Sequence, residues 1–179
     1  MRMQHLIIVD YDPTWPELFQ QEKARLLAAI GDHIETIEHI GSTSVPGLAA
    51  KPVIDIMIGV RDLAKVEQPC IAAIVDLGYE YVPDYEDEMP DRRYFRKSDA
   101  SGMRTHHLHL WPVDHPDYER HLVFRDYLRT HPDEAAAYEA VKRDLITQHD
   151  DGNDYAGAKS VFVLPCEKRA YAWRASLDE

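Results

Sequence analysis

Hydrophobic and polar positions alternate along this chain in two distinct rhythms. Residues 5–11 are apolar and β-rich and predict a first strand. Asp12-Pro13-Thr14-Trp15-Pro16-Glu17 reads as a helix entry, with Thr14 as N-cap and Pro16 in the first turn. Leu18, Phe19, Leu26, Leu27 and Ile30 follow at helical spacing until Gly31 stops the run. Ile34 to Ile40 alternates, as a strand with one wet face does. Gly41 to Ala50 predicts a turn and a short helix. Pro52 to Val60 is nearly continuous and β-branched, the pattern of a central strand.

The second half begins with a helix over Leu63–Leu77, carrying Pro69 and closed by Gly78, and a strand over Tyr79–Tyr85. Arg93–Lys97 and Arg104–Val113 predict two further strands joined by the turn Ser98-Asp99-Ala100-Ser101-Gly102. Helices are then expected from His115-Pro116 to Arg129 and from Pro132 to His149. A last helical segment starts at Tyr155–Phe162, and Pro165 is expected to break it before Glu167–Ala175. Mixed strands followed by helices predict an α+β fold with a mixed sheet and a helical C-terminal layer, as one domain over residues 1–179.

The 179 residues are 45% hydrophobic and 29% charged, ordinary globular composition. No apolar run approaches the length of a membrane span, and the four aliphatic residues near the start are too few for a signal peptide. Cys70 and Cys166 lie far apart and form no CxxC, so a cytoplasmic protein with reduced thiols is expected. The formal net charge of -12 argues against coating nucleic acid, whose backbone it would repel. Basic residues nevertheless crowd the middle, at Arg92, Arg93, Arg96, Lys97 and Arg104, and recur at Arg125, Arg129, Lys142 and Arg143. The tract Asp84–Asp91 reads as a mobile, solvated acidic loop, with a metal-attracting lid as the alternative.

Three segments carry candidate chemistry. Gly41-Ser42-Thr43 stands between a predicted strand and helix, where glycine admits close backbone approach and amides and hydroxyls meet anions; an ordinary helix cap fits the same residues. Asp55 interrupts an apolar strand, where a carboxylate needs a metal, an arginine or another partner. His107 and His109 share one strand face and suit a transition metal or, when protonated, phosphate; two half-exposed histidines on a polar face fit equally. Arg93 and Tyr94 belong to a neighbouring strand. Arg125 lies in an amphipathic helix, and Lys159 sits with Tyr155 and Ser160 on one helical side, where it suits a phosphate or plain solvent.

The run EHIGSTSVPGLAAKPVIDI (Glu38–Ile56) resembles the signature of the GrpB family. Tyr94-Phe95, His107-Leu108-His109, Leu122–Arg129 and Tyr155–Lys159 agree with it in order, and the resemblance spans about Val9 to Ala172. The family is placed in the nucleotidyltransferase superfamily, which implies a mixed sheet flanked by helices. It implies a phosphate-cradling turn at Gly41 and Ser42 and a first metal carboxylate at Asp55. A working transferase usually adds a second acid two residues on and a third on an adjacent strand. Here those places hold Met57 and the histidines 107 and 109. Methionine is a poor magnesium ligand and imidazole suits softer ions. The resemblance therefore implies a phosphorylated small molecule or nucleotide as ligand and a divalent metal (Mg, Mn or Zn) at Asp55, His107 and His109, with Arg93, Arg125 and Lys159 balancing charge. GrpB-like domains also occur fused to dephospho-CoA kinases, which points to coenzyme A or nucleotide ligands. Metal-dependent nucleotidyl or phosphoryl transfer, non-catalytic binding of a nucleotide- or coenzyme-A-like ligand, and a scaffold with a vestigial site are all compatible with these residues.

Overall fold

A computed structural model describes residues 7–148 and 152–177. Five strands form one mixed sheet in the order β1-β2-β5-β4-β3. They are β1 (Thr36–Ile40), β2 (Ile54–Val60), β3 (Glu80–Tyr81), β4 (Arg93–Ser98) and β5 (Arg104–Pro112). Only the central β2–β5 pair is parallel; the others run antiparallel.

The pleat of β2 divides the molecule. Ile54, Ile56, Ile58 and Val60 face one way, together with Ile37, Leu108, Leu110 and Phe95. Helices α1 (Trp15–Ile30) and α2 (Leu63–Asp76) cover this side with Trp15, Phe19, Leu26, Ile30, Cys70 and Ile74, and each of these side chains is buried. Glu22 of α1 is buried in the same layer. Lys97 Nζ at 2.8 Å and Arg25 Nη1 at 2.8 Å neutralise it, which makes its burial tolerable.

The opposite face carries Asp55, Met57 and Gly59 of β2 beside His107, His109 and Trp111 of β5. Helix α3 (Pro116–Thr130) closes one end of it. Tyr118 packs with Ile40, Met57 and Trp111 in a small apolar cluster. Gly59 makes that approach possible, because a Cβ there would lie 2.9 Å from the Tyr118 ring and 2.5 Å from Thr36 Oγ1. Helices α3, α4 (Pro132–Leu145) and α6 (Ser160–Ser176) share a further core of Val123, Tyr127, Leu128, Tyr138, Cys166 and Ala170, into which Val45 and Leu48 insert. Helix α5 (Gly152–Ala158) leads into α6.

Most of the predicted elements form, with five differences. Residues 5 and 6 of the first predicted strand lie outside the described residues, and its remainder contributes one bridge, Val9 to Ala50. The predicted helix after Gly41 is a single 3-10 turn at Ser42–Ser44, because Pro46-Gly47 interrupts it. The strand from Tyr79 shrinks to Glu80–Tyr81 and turns at Pro83–Tyr85, since proline withholds a ladder hydrogen bond. Pro165 does not break α6, just as Pro69 does not break α2. Both prolines lie on exposed helix faces, where the freed carbonyl is open to solvent. The helix from Pro132 ends at Leu145, and His149 lies outside the described residues. No helix among the described residues is long and apolar enough to cross a membrane.

Removing Glu22 would leave Lys97 and Arg25 charged at the edge of the core. Glu22→Ala is expected to cost about 3 kcal/mol in urea unfolding at neutral pH. Burial raises the Glu22 pKa, but Lys97 and Arg25 outweigh it and hold it below its ordinary value. Its contribution is therefore present above the unfolded value and fades as pH falls through the lower folded value. A loss below about 1 kcal/mol would show that the pair is dispensable.

Candidate functional site

Strand register arranges the open face in rows. Ile40, Asp55, His107 and Arg96 pair in succession across β1, β2, β5 and β4; Glu38, Met57, His109 and Tyr94 form the next row. Asp55 and His107 are thus cross-strand neighbours, and His107 Nδ1 lies 3.1 Å from Asp55 Oδ1. Their side chains are 28% and 24% exposed, so the pair is recessed but reachable.

Gly41 forms the other wall at Asp55. Its φ of 71° lies in the left-handed region, and a Cβ there would come within 2.5 Å of Asp55 Oδ2. The turn that follows is braced by its own hydroxyl and by the helical layer. Ser44 Oγ donates to the Gly41 carbonyl at 2.6 Å, and Arg129 Nε of α3 donates to the Ser44 carbonyl at 2.9 Å. Helix α4 grips the segment beyond it. The Ala49 amide donates to Glu139 Oε2 at 3.0 Å, and Lys142 Nζ donates to the Ala49 carbonyl. Lys142 is buried over the Tyr138 ring at 4.8 Å, and Tyr138 lies against Ser42.

Electrostatics single out this face. Burial favours protonation of Asp55, but the His107 hydrogen bond and nearby positive charge, including Lys159, outweigh it and hold the carboxyl below its usual range. Lys159, over the Tyr155 ring at 4.9 Å, interacts with both Asp55 and Lys51. Lys51 in turn interacts with Asp55 and Arg104. Among the described residues no carboxylate forms an ion pair with Lys51, Lys159 or Arg104, and Arg104 Nε is buried without a hydrogen-bond partner. Burial, and then the charge of Lys159, bring Lys142 down to about 7.

The remaining candidates are distributed differently. Ser42, Gly41, Asp55, His107 and Lys159 gather around this face. His109 shares it, but burial drives its imidazole to the neutral form, and its Nδ1 is sealed without a partner between Tyr94 and His121. Thr43 points inward: its hydroxyl meets His39 Nε2 at 3.0 Å and the Val53 carbonyl. Arg93 projects from the other side of β4 to Glu67 and Glu86, because it alternates with Tyr94. Arg125 is held by Glu38 at 2.7 Å and Asp126 at 2.8 Å and also donates to the His39 carbonyl. Arg93, Arg125 and Thr43 are thus occupied in holding the fold.

The donor set does not fit the metal centre that the resemblance implies. Among the described residues no three His, Cys, Asp or Glu side chains are grouped to hold a metal. Asp55 and His107 are bonded to each other, and Met57 is fully buried in the apolar cluster under α3. The other carboxylate on this face, Glu38, is held by Arg125, so Asp55 alone is left as a hard oxygen donor where two magnesium ions would need several.

Sequence reasoning counted Arg104 and Lys142 only among the basic clusters and passed over Lys51 and Tyr138. For Lys142 a signal existed: it falls at the heptad spacing of Ala135 and Tyr138, and a lysine in that stripe is buried. Lys51 and Arg104 had none, since a lysine before Pro52 and an arginine after a turn are ordinary surface positions.

Comparison with known proteins follows the same lines. A family model described as GrpB protein matches residues 5–169. The crystal structure of conserved protein GrpB from Enterococcus faecalis is 39% identical and superposes with a TM-score of 0.80, covering 92% of this chain and 96% of that one. Protein YqkA of Bacillus subtilis is 41% identical over 93% of this chain, which spans only 48% of YqkA. A dephospho-CoA kinase of Mycolicibacterium paratuberculosis is 30% identical over 94% of this chain and is matched over 47% of its own length.

Two outcomes test the geometry. Gly41→Ala would place a methyl against Asp55 in a strained backbone conformation, and a loss of about 1–3 kcal/mol is expected in thermal or urea unfolding. Wild-type stability would leave the close approach unsupported. His39, stacked on Phe19 at 4.7 Å, is lowered by burial to about 4. Its folded value lies below its unfolded one, so stability is full above pH 6.5 and falls as pH drops toward about 4. Near pH 5 unfolding should take up about one proton fewer in His39→Gln than in wild type. An unchanged pH slope would contradict a neutral buried His39.

Proposed function

The chain belongs to the GrpB family, and from that premise we propose that the face over Asp55 binds a phosphorylated small molecule of the nucleotide or coenzyme A class. One observation carries this reading. In a chain of net charge -12, the partly buried Lys51 and Lys159 share the single carboxylate of Asp55 and form no ion pair with any other described carboxylate. Desolvated cations that outnumber the carboxylate they share are what an anionic ligand would satisfy. Ser42 and the turn at Gly41 stand beside them and offer a hydroxyl and close backbone approach. The name of the dephospho-CoA kinase relative gives coenzyme A compounds a place among the ligands to test.

A second reading, phosphoryl or nucleotidyl transfer, is favoured by the Asp55–His107 pair. With its proton on Nδ1 and donated to Asp55, His107 keeps Nε2 as an acceptor for a hydroxyl proton, with Asp55 orienting the ring. The buried Met57 counts against it, because the place for a second acid is closed.

Thermal shift measures the first reading. ATP, coenzyme A or dephospho-CoA at about a hundred times its Kd should stabilise the protein by about 2.7 kcal/mol. For a domain of this size that raises Tm by about 5–10 °C. Lys159→Met should abolish most of the shift. If none of these compounds moves Tm at millimolar concentration, the reading fails. Turnover of a nucleoside triphosphate, lost in both Asp55→Asn and His107→Gln while the thermal shift persists, would establish transfer. Binding without turnover would leave a binding module.

A further inference from the structure

The loop that enters β4 brings a cation to the open face without tying it to a carboxylate. Arg92 lies with its Cζ 5.7 Å from the centre of the Tyr85 ring and 5.3 Å from that of Tyr94, within cation–π range of both. The two rings meet edge-on at 5.8 Å and form a corner around it. Tyr94 also lies 5.7 Å from the His107 ring and 5.1 Å from that of His109. One aromatic ring therefore separates Arg92 from the Asp55–His107 pair. Among the described residues Arg92 forms no ion pair, although the chain has 32 acids against 20 bases. Its neighbour Asp91 turns to His115 Nε2 at 3.8 Å, and Asp117, whose charge also reaches it, is bonded to Arg120 at 2.7 Å.

Backbone and sheet hold this corner in place. The turn Pro83–Tyr85 closes with the Glu86 amide on the Pro83 carbonyl at 2.9 Å. The Met89 amide then donates to the Tyr85 carbonyl at 2.9 Å, and the Arg92 amide to the Met89 carbonyl at 3.0 Å. Arg93, on the other side of β4, donates through Nη1 to the Pro90 carbonyl at 2.7 Å and the Arg92 carbonyl at 3.0 Å, while Glu67 holds its Nε at 3.1 Å. Arg93 thus positions Arg92. Aromatic faces attract a guanidinium but take none of its charge-assisted hydrogen bonds, so its planar fork of N–H donors is left for an oxyanion. We propose that Arg92 is the phosphate-contacting residue of this face, held by Tyr85 and Tyr94 so that the edge of its guanidinium meets an oxyanion of the ligand. This rests on the phosphorylated-ligand reading and adds the residue that recognises the phosphate. It draws on neither Lys51 nor Lys159. A lysine at position 92 would keep the charge but lose the planar fork, and with it the paired hydrogen bonds.

Isothermal titration of the full chain with ATP, coenzyme A and dephospho-CoA tests this in wild type, Arg92→Gln, Arg92→Lys and Tyr85→Leu, with unfolding curves confirming that each variant folds. For a compound that binds wild type, Arg92→Gln should raise Kd about tenfold, and Arg92→Lys should recover only part of that loss. Tyr85→Leu, which keeps the charge and removes one wall of the corner, should raise Kd about threefold. Added salt should weaken binding less steeply in Arg92→Gln than in wild type, because one charged contact is gone; a purely structural role would leave that dependence unchanged. Should Arg92→Gln fail to fold, Arg92→Lys and Tyr85→Leu carry the test. A Kd within twofold of wild type in folded Arg92→Gln, or full wild-type affinity in Arg92→Lys, overturns the inference and leaves the phosphorylated-ligand reading standing. No binding of any of the three compounds to wild type overturns both.

Discussion

Strand β2 has to satisfy two environments at once. Its even-numbered residues, Ile54 to Val60, fill the core beneath α1 and α2, so the pleat sends Asp55, Met57 and Gly59 to the other side. A slip of one residue would bury the carboxylate under Trp15 and Phe19 and expose four large aliphatic side chains. Burial of those aliphatics therefore holds the register that places Asp55 beside His107, and the rest of the face follows from it. Met57 and Gly59 then form the floor on which Tyr118 seats α3.

The helical layer closes over one end of that face. Helices α3 and α4 reach the Gly41–Ala50 segment with polar side chains as well as with the apolar contacts of Val45 and Leu48. Arg129 takes the Ser44 carbonyl, and Glu139 and Lys142 take both polar groups of Ala49. A loop that carries a buried backbone must have its hydrogen bonds met, and here two helices meet them. The segment leading to Lys51 is thereby fixed relative to Asp55, as a ligand site requires.

Charge is distributed unevenly. Glu22 with Lys97 and Arg25, Arg93 with Glu67, and Arg125 with Glu38 each neutralise a partly or fully buried group. These pairs hold the layers together and spend their charge in doing so. Lys51 and Lys159 share only Asp55 and form no ion pair among the described residues, although acids outnumber bases in the chain by 32 to 20.

Local rhythm and side-chain chemistry determined much of this protein from the sequence alone. The period-two pattern of β2 and β5 put Asp55 on an exposed row and put His107 and His109 on one face, and the family signature fell on those same segments. Apolar spacing and prolines located the long helices, but the predicted helix after Gly41 is a single 3-10 turn and Pro165 lies inside α6. Tertiary structure decided which residues became partners. Asp55 and His107 lie 52 positions apart, Ala49 and Lys142 93, and neither contact leaves a mark in local pattern. Alternation on β4 sent Arg93 to the far side, while Arg125 went to Glu38 and Thr43 to His39. A side chain's charge is written in the sequence, but whether it is spent on the fold or left for a ligand depends on which distant groups strand register and helix packing bring within reach of it.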